Sequence, residues 1–264
     1  MTRAAARVAA LLLTIVAAAL AEAPSLFIVG DSTASNAERL GWGTPFADYF
    51  DGAKVHVVNR ARAGRSSRTF QTEGLWDAVL RDLKRGDFVL IQFGHNDGSA
   101  PDKDRARGSL PGLGEESQEF TMPNGTNEVV RTFGWYMRKY IADTKVKGAT
   151  PIVLSLTVRN IWADGKVERG SGQFSQWSAA IAKSQVVDFI DLTNIAADRF
   201  EKIGPEAMKE LFPIDHTHTS QAGADLNASL VISGAQTAGE SPAARISFRQ
   251  GHGSPDLHAS ARRC

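Results

Sequence analysis

The sequence predicts an α/β protein whose core is a parallel sheet of five strands. Five short runs rich in Val, Ile and Phe recur along the chain, each bounded by Gly, Pro, Asn or Asp. Segments with helical periodicity separate these runs, which is typical of parallel sheets. The length of 264 residues and the 42% hydrophobic content suffice for one domain with a full core.

The predicted strands and helices alternate along the chain. The strands are Ser25–Gly30, Lys54–Asn59, Asp87–Phe93, Thr150–Leu156 and Val186–Leu192. Helical periodicity covers residues 43–50, 74–85, 126–147, 173–184, 194–211 and 220–234. Ser220 is a suitable N-cap for the last helix and Gly234 a suitable stop.

Two segments lack periodicity. Residues 97–125 are rich in Gly, Pro and charge and follow the third strand, so we expect a long loop over the carboxyl edge of the sheet. Open α/β folds bind ligands at that edge. Residues 235–264 are small and polar, which predicts a disordered tail after a domain that spans residues 22–234.

The N-terminus is typical of a secretory signal peptide. Arg3 and Arg7 precede an apolar stretch, and Ala21 ends a small-residue cleavage site. The stretch is shorter than the roughly 20 residues of a membrane span, so we expect no stable membrane insertion of the mature chain. Residues 1–21 therefore predict a secreted or periplasmic protein. Its one cysteine, Cys264, allows no intramolecular disulfide, so the core alone must hold the fold.

The charge distribution argues against nucleic acid as a partner. The net charge is +1, but several arginines lie in the two terminal segments. Residues 22–240 contain 24 basic and 28 acidic side chains, with no basic cluster.

Groups suited to ester hydrolysis follow the first three predicted strands. Ser32 offers a nucleophilic hydroxyl, and the Gly64 N–H and the Asn96 side-chain amide offer donors for an oxyanion. Each residue also has a structural alternative: a helix-capping serine, a turn glycine, and an asparagine that caps the following loop. Because the carboxyl ends of parallel strands share one edge, we expect the three groups to lie together.

The last loop supplies a carboxylate and an imidazole. Asp215 and His218 lie three residues apart, so Asp215 can hold Nδ1–H and direct Nε2 toward Ser32. A metal site at Asp215, His216 and His218 is the alternative. It is disfavoured because a catalytic zinc site usually has three protein ligands, and neither a His-Glu-x-x-His motif nor a Cys pair is present. We therefore expect no metal or other cofactor, and supporting roles for His216, His95 and Asp97.

These motifs resemble the SGNH (GDSL-type) hydrolases, and more narrowly their rhamnogalacturonan acetylesterase branch. The similar blocks are Gly30-Asp31-Ser32-Thr33, Asn59 to Phe70, Phe93 to Asp97, and Asp215 to Thr219. The resemblance implies a flavodoxin-like three-layer α/β/α fold and metal-free removal of acetyl groups from pectic or related plant polysaccharides. It also implies a triad of Ser32, His218 and Asp215, with the Ser32 N–H, Gly64 and Asn96 as the oxyanion hole.

Four further residues are candidates for substrate contact: Arg65, Arg68, Arg159 and Trp162. Arginine binds galacturonate carboxylates through paired hydrogen bonds, and tryptophan stacks on sugars. The alternatives are internal salt bridges to Asp31 or Asp97 and a buried tryptophan.

The predicted protein is a secreted carbohydrate esterase acting on acetylated rhamnogalacturonan or pectin. A GDSL-type lipase or thioesterase and an acetylxylan esterase are alternatives that use the same triad. A non-catalytic carbohydrate-binding protein is a third alternative, disfavoured because every catalytic position is occupied.

Overall fold

The structure is a computed structural model that describes residues 22–35, 40–170 and 172–237. The predicted signal peptide, residues 1–21, lies outside the described residues, as does the predicted tail beyond Thr237. Within the described ranges, every helix is too short or too polar to cross a membrane.

In the described residues, nine strands form one large sheet and two small hairpins. They are β1 (Ser25–Gly30), β2 (His56–Asn59), β3 (Phe88–Gln92), β4 (Ser117–Thr121), β5 (Asn127–Arg131), β6 (Thr150–Leu154), β7 (Trp162–Ala163), β8 (Lys166–Val167) and β9 (Asp188–Ile190). The large sheet has the order β2-β1-β3-β6-β9, and all its strands are parallel. The predicted five-stranded parallel sheet is therefore confirmed.

Helices cover both faces of this sheet. They are α1 (Thr69–Thr72), α2 (Leu75–Asp82), α3 (Phe133–Val146), α4 (Phe174–Gln185), α5 (Leu192–Ile203), α6 (Pro205–Leu211) and α7 (Gln221–Thr237), with a 3₁₀ helix at Pro45–Tyr49. Alternate residues of β1 enter different cores. Leu26 and Ile28 pack in a cluster that includes Val231 of α7, whereas Phe27 and Val29 pack in one that includes Tyr140 of α3. The result is the expected three-layer α/β/α arrangement.

Two predictions are wrong where they meet: the first residues of the predicted helix over 126–147 and the last residues of the predicted loop over 97–125. There β4 and β5 form an antiparallel hairpin. An Asn-Gly pair at the turn, with Gly125 at φ +83°, favours this pairing, and Val129 and Val130 have high strand propensity. The helix begins only after Thr132, whose side chain accepts a hydrogen bond from the Trp135 N–H at 3.0 Å.

Two other predicted helix bounds also differ. The segment predicted as one helix over 194–211 is two helices, because Gly204 has φ +87° and Pro205 cannot continue the hydrogen-bond pattern. The last helix passes Gly234 and ends at Thr237, with Ala235 buried in the core. The predicted end of this helix at Gly234 is therefore three residues short.

A buried glutamine joins three elements below the carboxyl edge of the sheet. Gln92, the last residue of β3, accepts hydrogen bonds from Trp42 Nε1 at 2.9 Å and Thr33 Oγ1 at 3.2 Å. Its Nε2 donates to the Ser155 carbonyl at 3.0 Å. The side chain thus ties the turns after β1 and β6 to β3.

Replacement of this glutamine should destabilise the fold. Gln92→Leu leaves buried polar partners unsatisfied, so we expect a loss of about 2 kcal/mol or more in the free energy of unfolding. Urea titration measures this, with Gln118→Leu on the exposed strand β4 as the control. Equal stability of the two variants would contradict the proposed importance of these bonds.

Candidate active site

A tight turn after β1 exposes the Ser32 hydroxyl. The buried Asp31 Oδ1 accepts hydrogen bonds from the Thr33 N–H and Thr33 Oγ1, both at 2.9 Å. Aspartate favours such turns because its side chain bonds the backbone two residues ahead. Ser32 lies between these two buried residues and is itself half-buried.

The structure brings Ser32, His218 and Asp215 into hydrogen-bond contact. His218 Nε2 lies 2.9 Å from Ser32 Oγ, and His218 Nδ1 lies 2.8 Å from Asp215 Oδ2. Asp215 Oδ1 accepts the backbone N–H groups of Thr217 and His218, each at 2.8 Å. Both carboxylate oxygens are therefore engaged, which fixes the imidazole and favours the tautomer with Nδ1–H. Nε2 then presents a lone pair to Ser32 Oγ.

The same hydrogen bonds keep Asp215 ionised. Burial raises the pKa of this carboxyl, but hydrogen bonds from the His218 ring and from the His218 and Thr217 N–H groups outweigh it. Together they lower the pKa of Asp215 from 3.8 to about 2. The carboxylate thus stays negative beside the imidazole at any pH near neutrality.

Gly64 and Asn96 lie beside Ser32, in the same cleft. Asn96 is only 6% exposed, and its Nδ2 donates to the Arg65 carbonyl at 2.8 Å. The amide nitrogen carries two hydrogens, so a second N–H is available to a ligand. Gly64 has φ +78°, which a turn glycine adopts readily. The side chain of Asn96 thus joins the Gly64–Arg65 turn to its own turn.

The cleft around these groups has a volume of about 670 Å³ and a polar, charged wall. Its lining includes three arginines and one glutamate: Arg65, Arg105, Arg107 and Glu73. A cleft of this size suits a ligand of a few sugar units.

Asp97 connects the turns that carry Gly64 and Asn96. Its buried carboxylate accepts the Ser67 N–H at 3.1 Å, Ser67 Oγ at 2.5 Å and Ser109 Oγ at 3.1 Å. It thereby connects the turn after β3 to the turn after β2 and to the long loop. Burial raises the pKa of Asp97 from 3.8 to about 6, although the serine donors oppose the shift.

His95 and His216 do not line the cleft. His95 Nε2 lies 3.0 Å from Thr157 Oγ1, and burial lowers the pKa of the His95 ring. The His216 carbonyl accepts the Asn160 N–H at 2.7 Å and so connects the last loop to the turn after β6. In the described part of the chain, no group of three or more His, Cys, Asp or Glu has the arrangement of a metal site.

For Arg68 the structure favours the structural alternative, an internal ion pair, because the side chain is buried and lies outside the residues that line the cleft. The side chain is 1% exposed and pairs with Glu128 at 2.8 Å. It also donates to the Pro101 carbonyl at 3.0 Å and to the Ala106 carbonyl. Its anionic partner is therefore Glu128 of β5, in the hairpin that sequence analysis did not predict. It is not Asp31 or Asp97, the partners that the sequence suggested.

The other three substrate candidates stay predictions. Arg65 lines the cleft and pairs with Glu73 at 2.7 Å. Arg159 and Trp162 lie outside the residues that line this cleft. Trp162 Nε1 donates to Asn160 Oδ1 at 2.6 Å, and its ring packs against a core cluster around Phe200.

Sequence reasoning missed Arg105 and Arg107. Both belong to the predicted loop over 97–125, and the structure places both on the cleft wall. The available signal was a pair of cations two residues apart in a loop already expected at the carboxyl edge. No local pattern distinguishes them from solvated loop charges.

The raised pKa of Asp97 predicts a pH-dependent loss of stability. Its carboxyl titrates near 3.8 when unfolded and near 6 when folded, so its contribution to stability is complete below about pH 4. That contribution falls by about 3 kcal/mol as pH rises through 6. The stability difference between Asp97→Asn and wild type should therefore shift in favour of the variant between pH 4 and 7.

Urea unfolding at pH 4, 5, 6 and 7 tests this expectation. The exposed Asp77→Asn on α2 is the matched control and should show no such shift. A parallel pH dependence for Asp97→Asn and wild type would contradict the prediction.

Sequence comparison identifies the family. Residues 28–226 match the GDSL-like Lipase/Acylhydrolase family. The chain is 34% identical over 214 residues to the rhamnogalacturonan acetylesterase of Emericella nidulans, covering 81% of this chain and 84% of that protein. It is 31% identical over 234 residues to the rhamnogalacturonan acetylesterase RhgT of Bacillus subtilis, covering 81% and 90%.

Solved structures show the same fold. The YxiM protein of Bacillus subtilis superposes with a TM-score of 0.65 at 25% identity, over 83% of this chain and 57% of that longer chain. Axe2, an acetylxylan esterase from Geobacillus stearothermophilus, superposes with a TM-score of 0.55 at 15% identity, over 80% and 93%. The predicted class of enzyme, a carboxylic ester hydrolase, is confirmed together with the predicted resemblance. The chain belongs to the GDSL-like lipase/acylhydrolase family.

Proposed function

We propose that this protein removes acetyl groups from acetylated pectic polysaccharide through a covalent acyl-enzyme on Ser32. The observation that carries the proposal is the chain of hydrogen bonds from Ser32 Oγ through His218 to Asp215, at 2.9 and 2.8 Å. The names of the relatives, which are rhamnogalacturonan acetylesterases, support the polysaccharide substrate.

In the first step His218 Nε2 accepts the proton of Ser32 Oγ, and Oγ attacks the acetyl carbonyl carbon. The imidazole becomes positively charged, and Asp215, with its pKa near 2, offers a full negative charge to stabilise it. Asp215 remains ionised throughout and keeps Nε2 directed at the serine.

The carbonyl oxygen becomes an oxyanion that needs donors already in place. The free N–H of the Asn96 amide and the backbone N–H groups of Gly64 and Ser32 serve this role. The bond from Asn96 to the Arg65 carbonyl supports the assignment because it holds the amide in position before substrate arrives.

The tetrahedral intermediate then collapses. The bond from carbon to the sugar oxygen breaks, and the protonated His218 Nε2 gives its proton to that oxygen, which leaves as a hydroxyl. Water enters, loses a proton to Nε2, and attacks the acetyl-Ser32 carbonyl. Collapse of this second intermediate returns the proton to Ser32 and releases acetate, so the protein is regenerated.

The cleft supports acetyl transfer over long-chain acyl hydrolysis. Three arginines and one glutamate line it, whereas a lipid acyl chain requires a predominantly apolar wall. Export through residues 1–21 is part of the proposal, because polymeric pectin lies outside cells.

The primary test is acetate release by the purified chain from acetylated rhamnogalacturonan, acetylated homogalacturonan and acetylated xylan. We expect release from the two pectic substrates, and a loss of about 10⁴-fold or more in kcat for Ser32→Ala. The exposed Ser117→Ala on β4 is the control. Retention of most activity in Ser32→Ala would overturn the mechanism, and a strong preference for xylan would overturn the pectic substrate.

Removal of the Asn96 amide should slow the chemical step. Asn96→Ala is expected to lower kcat on acetylated rhamnogalacturonan by about 100-fold or more with little change in KM, since the donor acts mainly on the transition state. Thermal unfolding monitors whether the variant is folded. An unchanged kcat in a folded variant would exclude Asn96 from the oxyanion hole.

A further inference from the structure

Two arginines of the long loop form one wall of the cleft. Arg105 and Arg107 line it together with Ser32 and His218. Arg107 is half-buried, and its Nη1 lies 3.4 Å from the Gly64 carbonyl. This guanidinium therefore lies directly beside the glycine proposed for the oxyanion hole.

These two cations lack an anionic partner within the described part of the chain. Arg65 is paired with Glu73, but no described carboxylate lies within 4.0 Å of the nitrogens of Arg105 or Arg107. Burial and repulsion by the nearby charge of Arg105 lower the pKa of Arg107, although the more distant charges of Asp31 and Asp97 oppose the shift. An anion bound between them would relieve this repulsion.

The positive charge of the cleft is local and does not follow from the charge composition of the domain. The described lining has three arginines and one glutamate, whereas residues 22–240 carry more acidic than basic side chains. Walls of one sign raise the local concentration of ligands of the opposite sign.

Buried contacts hold the loop in this position. Arg68, 1% exposed, bonds the Pro101 and Ala106 carbonyls from below and is paired with Glu128. Ala106, between the two arginines, has φ +44°, which a non-glycine residue adopts only when its surroundings impose it. The loop is therefore set before any ligand arrives.

A glycine closes the same loop. Gly108 donates its N–H to the Ala100 carbonyl at 3.3 Å, and a Cβ at this position would lie 1.6 Å from the Ser99 carbonyl oxygen. Only glycine permits the two ends of the loop to approach this closely. Arg105 and Arg107 belong to the closed loop and line the cleft.

We propose that Arg105 and Arg107 form a carboxylate-binding subsite that recognises a uronic acid residue next to the acetylated sugar. The proposal rests on the proposed function, because the subsite belongs to the esterase cleft. A guanidinium binds a carboxylate through two parallel charge-assisted hydrogen bonds, which a neutral sugar cannot offer. The subsite thus selects acidic over neutral polysaccharide.

The experiment measures binding by isothermal titration calorimetry, which requires no turnover. The ligands are unacetylated tetragalacturonate and neutral xylotetraose, at low and high salt. The variant is Arg105→Gln with Arg107→Gln. The matched control, Arg81→Gln with Arg85→Gln, removes the same charge from exposed positions outside the cleft.

We expect wild type and control to bind tetragalacturonate more tightly than xylotetraose, with an affinity that falls as salt rises. The double variant should lose about tenfold or more of its tetragalacturonate affinity and most of the salt dependence, while its affinity for xylotetraose changes little. An equal loss for both ligands, or no preference for tetragalacturonate in wild type, overturns the subsite. Absence of acetate release by the wild-type protein would overturn the proposed function. The binding measurements would still decide the subsite, because they require no turnover.

Discussion

The parallel register of β1, β2 and β3 is the constraint on which the site depends. Gly30 of β1 pairs with Gln92 of β3, so these two strands end at one level, and β2 ends two residues earlier, where Asn59 pairs with Ile28. Ser32, Gly64 and Asn96 each follow within a few residues. A shift of the register by one residue would move one of these groups by about 3.3 Å relative to the others. That displacement is as large as a hydrogen bond is long.

Buried polar side chains convert these strand ends into a rigid site. Gln92 joins the turns after β1 and β6 to β3, and Asp97 joins the turn after β2 and the long loop to the Asn96 turn. Loops would otherwise move independently, and oxyanion donors must be in place before the reaction to be effective. Because burial raises the pKa of Asp97, its ionised carboxyl lowers the stability of the fold near neutral pH. The same carboxyl holds the turns that carry the proposed oxyanion donors, Gly64 and Asn96.

The long loop gives the cleft a charge that the rest of the domain lacks. Its position depends on Arg68, which is 1% exposed and forms an ion pair with the partly exposed Glu128. Burial of an arginine is costly unless the charge is paired and hydrogen-bonded. Here Nη1 pairs with Glu128 and Nη2 donates to the Pro101 and Ala106 carbonyls, whereas the buried Nε has no hydrogen-bond partner among the described residues. Arg68, which the sequence suggested as a substrate ligand, thus holds the loop that carries Arg105 and Arg107.

The sequence by itself determined the parallel α/β class, the five strands of the sheet, the family, and the set of residues now found around Ser32. These features depend on short-range periodicity and on motifs of a few residues, which are visible along the chain. The tertiary structure alone decided that Arg68 is buried and that Arg105 and Arg107 line the cleft. Arg68 and Glu128 are 60 positions apart, and pairing at that distance depends on packing, which no local pattern encodes.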